Sequence, residues 1–155
     1  MLDASPGGVP DHADRKHWMQ VLAQAPADPL KAAYQTLAPD PDHTLLRAPE
    51  FGAVMVQGRM GGTGGAFNLG EMTVTRCSVR LADGAVGHAY IAGRDAEKAR
   101  IAALCDAMLQ GAAAEAVQDH VVAPMAALLS KARADHAAKA AATKVDFFTL
   151  VRGED

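Results

Sequence analysis

One stretch limits what this chain can become. It reads Gly58-Arg59-Met60-Gly61-Gly62-Thr63-Gly64-Gly65-Ala66-Phe67-Asn68-Leu69-Gly70-Glu71-Met72-Thr73-Val74-Thr75-Arg76-Cys77-Ser78-Val79-Arg80-Leu81, a glycine-rich loop followed by a β-patterned run. Thr73, Thr75, Cys77, Val79 and Leu81 share one parity; Met72, Val74, Arg76, Ser78 and Arg80 share the other. This is the alternation of a strand with one face on a core. Arg76 and Arg80 then lie on one face, about 13 Å apart. Glycines serve where the backbone needs positive φ or a close approach, and a run of inward N–H groups can form an anion nest. The loop has no lysine, so it is not a P-loop, and a strand follows it, so it is not a dinucleotide fingerprint. A flexible hairpin connection and a binding loop, for a ligand or a partner subunit, both stay open.

The elements around it predict an α+β fold. Residues 1–13, with Pro6, Gly7, Gly8 and Pro10, read as a disordered leader. Asp11 or Asp14 can cap a first helix, whose face is Trp18, Val21, Leu22 and Ala25, and Pro26 stops it. Asp28-Pro29 signals the start of a second helix, with Leu30, Ala33, Tyr34 and Leu37 on one face. The short connection makes the two a helical hairpin. Residues 44–48 and 52–57 read as two strands divided at Pro49. The long strand to Leu81, the Asp83-Gly84 turn and a strand over 86–92 complete an antiparallel sheet of about four strands. Asp95 can cap a helix with the stripe Ile101, Leu104, Cys105 and Met108, while Lys98 and Arg100 read as its solvated side. Pro124 marks a helix start or kink, and residues 131–144 are alanine-rich and thinly anchored. The single domain therefore spans 14–144. Residues 145–155 form an extended apolar tail whose Phe147, Phe148, Leu150, Val151 and Arg152 dock on a partner or on the chain's own core.

With 155 residues and a net charge of −3, the chain offers no general nucleic-acid surface. No apolar run is of membrane-spanning length and no signal peptide is visible, so a cytoplasmic protein is expected. Cys77 and Cys105 have no metal-like spacing and read as small buried hydrophobes. No metal-binding pair, nucleophile elbow or paired carboxylate is present, so no catalytic residue is assigned. His17 reads as a surface or interface histidine. His88, beside Tyr90 and near Arg94, is either a satisfied strand histidine or part of a wet site. Arg94 at a strand-to-helix corner can pair structurally or contact an anion at the helix N-terminus.

Five segments together resemble one family. They are Arg15-Lys16-His17-Trp18-Met19-x-Val21-Leu22-Ala23; Arg59-Met60-Gly61-Gly62-Thr63-Gly64 with Phe67; Thr73-Val74-Thr75-Arg76-x-x-Val79-Arg80-Leu81; Gly93-Arg94-Asp95; and Val145-Asp146-Phe147-Phe148-Thr149-Leu150-Val151-Arg152-Gly153. The chain is similar over residues 14–153 to the G subunit of the bacterial carbon–phosphorus lyase system, PhnG. The resemblance implies a cytoplasmic core complex with H, I and J subunits, the I subunit being the most direct partner, and leaves open a homodimer within it. It implies a transferase function: replacement of the adenine of ATP by an alkylphosphonate, giving α-D-ribose 1-alkylphosphonate 5-triphosphate. ATP is the complex's co-substrate, and no cofactor or metal is expected on this chain. The role implied here is mainly architectural, with Trp18 and the tail as interface. Alternatively Arg59, Gly61, Gly62, Thr63, Gly64, Arg76, Arg80, His88 and Arg94 hold phosphate oxygens, within the complex or as a free-standing phosphate- or nucleotide-binding module.

Overall fold

The computed structural model describes residues 12–37 and 39–144. Helix α1 (His12–Gln24) opens inside the stretch expected as leader and buries Trp18, Val21 and Leu22, the face read from their spacing. The Pro26 carbonyl accepts the Leu30 N–H at 3.1 Å, so α2 (Ala27–Gln35) starts earlier than Asp28 would set it. Asp28 lies in the first turn and Pro26 holds the cap position, without a side-chain bond. Pro29 is tolerated because first-turn N–H groups have no helical acceptor anyway.

Among the described residues the sheet has three strands, where about four were expected. β1 (His43–Arg59), β2 (Ala66–Leu81) and β3 (Val86–Ala92) form an antiparallel meander in the order β1-β2-β3. Pro49 does not divide β1. The register shifts between Leu45 and Arg47 and again between Arg47 and Glu50, so the strand absorbs its proline at an irregularity on the sheet's edge, where a missing N–H is tolerated. A third shift follows Val56, which pairs Gly70 while Gln57 pairs Asn68, leaving Leu69 as the extra residue. The β2–β3 turn is the expected Asp-Gly hairpin: Gly84 has φ +94° and the Asp83 carboxylate accepts the Ala85 N–H at 2.9 Å.

Helix α3 (Ala96–Met108) lies against the inner face of β2 and β3 and is buried nearly all round, as the central helix of a core should be. Thr75, Cys77, Val79 and Leu81 of β2 meet it from the sheet. Gly87 sets the closeness of the seam: a Cβ there would overlap the Ala103 carbonyl and the Ala107 backbone. Asp95 caps the helix, accepting the Lys98 N–H at 2.9 Å. Lys98 is not solvated, however. It is buried, its ammonium donates to the Ala23 carbonyl at 2.9 Å, and desolvation lowers its pKa. Arg100 likewise pairs with Asp40 at 2.7 Å.

α4 (Ala114–Val117), a π-helical turn (Gln118–Val122) and α5 (Ala123–Ala142) run on without leaving helical dihedrals. The π turn stands just before Pro124, whose absent N–H removes one regular helical bond. Past Met125 the helix buries little. Residues 131–144 are exposed, and Arg133 reaches back to Gln24 Oε1 at 2.7 Å. Residues 145–155, and with them the expected docking side chains Phe147, Phe148, Leu150, Val151 and Arg152, lie outside the described residues.

Candidate functional site

The meander gathers part of the expected site on its outer face, away from α3. Arg76 stands between Glu50 of β1 and Tyr90 of β3; Ser78 stands between Arg47 and His88; Arg80 stands between Thr44 and Val86. Glu50 holds Arg76 at 2.9 Å and also pairs with Arg47. Arg76 Nε is buried without a hydrogen-bond partner, although its outer nitrogens reach Glu50 and solvent. Ser78 Oγ and His88 Nδ1 lie 2.9 Å apart. Met19 of α1 closes one side of a shallow groove of about 260 Å³ over Arg47, Arg76, Ser78, His88 and Tyr90. Arg80 makes no hydrogen bond or ion pair among the described residues and borders this groove rather than lining it.

The glycine-rich loop is elsewhere. It is the tip of the β1–β2 hairpin, where Gly61 and Gly62 take φ of +60° and +81°, a backbone that explains their identity. Arg59 is committed to the loop itself, donating to the Gly64 carbonyl at 3.3 Å. Ala66, at the start of β2, is ten positions from Arg76, about 33 Å along a strand. One triphosphate chain cannot span that distance, so within one copy Arg59, Gly61, Gly62, Thr63 and Gly64 do not share a site with Arg76 and His88. Arg94 belongs to neither group: its guanidinium lies 5.7 Å over the Phe51 ring, a cation–π contact.

Trp18, expected as a partner contact, packs inside this chain. It is 6% exposed, and its indole N–H donates to Asp106 Oδ1 at 2.8 Å. Asp106, fully buried in α3, also accepts two bonds from Arg15, at 3.1 and 2.8 Å, and the His88 backbone N–H at 2.8 Å. Four donations to one carboxylate tie α1 and β3 to α3. Sequence reading missed Asp106. Its signal was a single carboxylate inside the apolar run from Ile101 to Leu109, a burial that requires partners.

The outer face is basic and hydroxyl-bearing: Arg47, Arg76 and Arg80 stand with Ser78 and His88. Ser78 and His88 meet on an open strand face, but the buried carboxylate takes the His88 backbone N–H, not its ring. Among the described residues no third group is seen to orient the imidazole. Cys77 and Cys105 are buried as expected. Burial raises the Cys77 thiol and pushes Cys105 to about 12, so neither supplies a thiolate near neutrality. Among the described residues no helix is long and apolar enough to cross a membrane.

The exposed large apolar side chains mark a second surface. Leu45, Leu46, Phe51, Met55, Phe67, Leu69 and Met72 are exposed on β1 and β2, and Met60 at the tip is 72% exposed. From about Gly52 outward the β1–β2 hairpin continues past the last β2–β3 pair, Val74 with Ala92, as a two-stranded arm.

Two comparisons bear on what carries these surfaces. The sequence model of the family described as phosphonate metabolism protein PhnG matches residues 13–153. The chain is 45% identical over 143 residues to the alpha-D-ribose 1-methylphosphonate 5-triphosphate synthase subunit PhnG of Rhizobium meliloti (strain 1021), an alignment covering 92% of each.

Proposed function

The chain belongs to the PhnG family, and from that premise we propose that it is a mainly architectural subunit of a cytoplasmic α-D-ribose 1-methylphosphonate 5-triphosphate synthase. In this reading the complex replaces the adenine of ATP by an alkylphosphonate. The chain works with H, I and J subunits, most directly the I subunit, and itself binds no cofactor. The observation that carries the reading is the apolar side chains left on the two-stranded arm, a construction that is marginal in water unless something covers it. The outer-face cluster supports a second role, contact with triphosphate or phosphonate oxygens. Against it, Glu50 already neutralises part of the charge of Arg47 and Arg76. A free-standing anion-binding module would leave the arm without a purpose.

The test is co-expression of the full chain with the other subunits, followed by purification and assay of adenine release from ATP with methylphosphonate. A stoichiometric complex is expected, and Arg76→Ala should leave both assembly and turnover within a few-fold. A fall of about 100-fold or more in turnover with assembly intact, the scale of losing a transition-state donor, would move Arg76 into the active site. Failure of the unaltered chain to assemble would end the subunit reading.

A further inference from the structure

The two faces of the arm differ in chemistry. Cross-strand pairs share a face, and the register therefore places Gly52, Val54, Val56 and Gly58 of β1 with Met72, Gly70 and Phe67 of β2. That outer face carries no ionisable group between the Glu50–Arg76 pair and the tip. The other face mixes the exposed Phe51 and Met55 with Glu71, Arg59 and the Gln57–Asn68 hydrogen bond. Glycines keep the uncharged face low: at Gly52 and Gly58 the nearest side chains are Arg76 and Phe67 lying alongside, and over Gly70 the space is open. Glycines in strands commonly stand where another backbone approaches closely.

The edge of the arm is open as well. Among the described residues, in the order β1-β2-β3, β1 has a strand neighbour on one side only. From Phe51 to Gly58 it has no charge and no proline, the devices that usually protect an edge.

Size decides what can cover it. Residues 52–58 on two strands make a face about 20 Å long and 10 Å wide, roughly 200 Å². A stable interface needs about 800 Å² from each partner. A second copy laid face to face on this arm would fall well short. A different chain that lines both face and edge while touching other surfaces meets the requirement.

We infer that the arm is gripped by a partner subunit of the synthase through an extended, uncharged segment. This segment adds as a strand to the open β1 edge at residues 51–58, and the partner's apolar side chains cover the outer face. The inference rests on the subunit reading above and adds the surface and the mode of contact.

Hydrogen exchange on the unaltered chain, alone and in the purified complex, tests it directly. Amides of residues 51–58 should exchange at least about tenfold more slowly in the complex, the factor for one ordered hydrogen-bonded contact. Val56→Glu should weaken assembly by about 100-fold or more, since a charge would meet an apolar surface. Asn68→Asp, on β2 and on the other face, away from the β1 edge, keeps the oxygen that accepts from Gln57 and should assemble normally. A complex that forms with unchanged exchange at 51–58, or that tolerates Val56→Glu, overturns the inference and leaves the subunit reading standing. Absence of any complex ends both. Protection of the same amides in the chain alone, with a dimeric mass in sedimentation, would name a second copy as the occupant and overturn the inference too.

Discussion

Asp106 shows how one side chain can hold three elements. Its carboxylate serves Arg15, Trp18 and the His88 N–H from inside α3. Asp106→Ala would strand three donors, one of them a guanidinium. Breaking such a pair costs about 3–5 kcal/mol when burial is complete. Arg15 is 31% exposed, so the expected loss in urea-induced unfolding is near the lower figure, with Asp106→Asn milder because one acceptor oxygen stays. Asp95 makes a different kind of prediction. Its carboxyl is held below its ordinary value chiefly by the Lys98 N–H, and by Lys31 in addition. A group whose folded pKa is depressed adds stability above its unfolded pKa, and that stability disappears as pH falls through the folded value. The window therefore lies below about pH 4. Asp95→Asn, which keeps a capping oxygen, should flatten the acid limb of stability against pH in thermal melts. An unchanged limb would show that the cap charge adds nothing.

At the level of elements, the seam between α3 and β3 depends on Gly87. Gly87→Ala forces backbone apart on both sides and should cost about 3 kcal/mol or more, at the severe end of overpacking. Gly70→Ala, which meets open space on the arm, should change the isolated chain's stability by under about 1 kcal/mol. Comparative denaturation of the two variants checks this contrast. The elements themselves were largely legible: Trp18, Val21 and Leu22 marked α1, Asp95 its helix cap, Asp83-Gly84 the hairpin, and the odd residues of β2 the core face. What sequence could not show was tertiary compensation. Pro49 breaks a central strand but not an edge strand with an irregularity. Lys98 and Arg100 look solvated in helical periodicity, yet the Ala23 carbonyl and Asp40 claim them from distant positions. The site was legible in half: parity alone put Arg76 and Arg80 together, and pairing with β3 added His88. The glycine loop looked like its companion because it is near in sequence. An extended strand makes neighbours in sequence remote in space.

The whole molecule is a well-packed centre with two thinly supported extensions, the hairpin arm and the last turns of α5. The centre accounts for the chain's own fold: α1 and α2, the inner face of β2 and β3, and the first part of the 114–142 helix enclose α3. Among the described residues the extensions have no such internal reason, and the subunit role proposed above would supply one. The open edge of β1 has a consequence for how such a chain must be made. In the subunit reading, the uncharged stretch 51–58 of β1 waits for a neighbour but does not choose among neighbours, and at high concentration another unfinished edge serves as well. Production of this polypeptide is therefore safest when matched in time and number to that of its companions. Its yield in soluble form should follow the supply of those companions more closely than the strength of its own promoter.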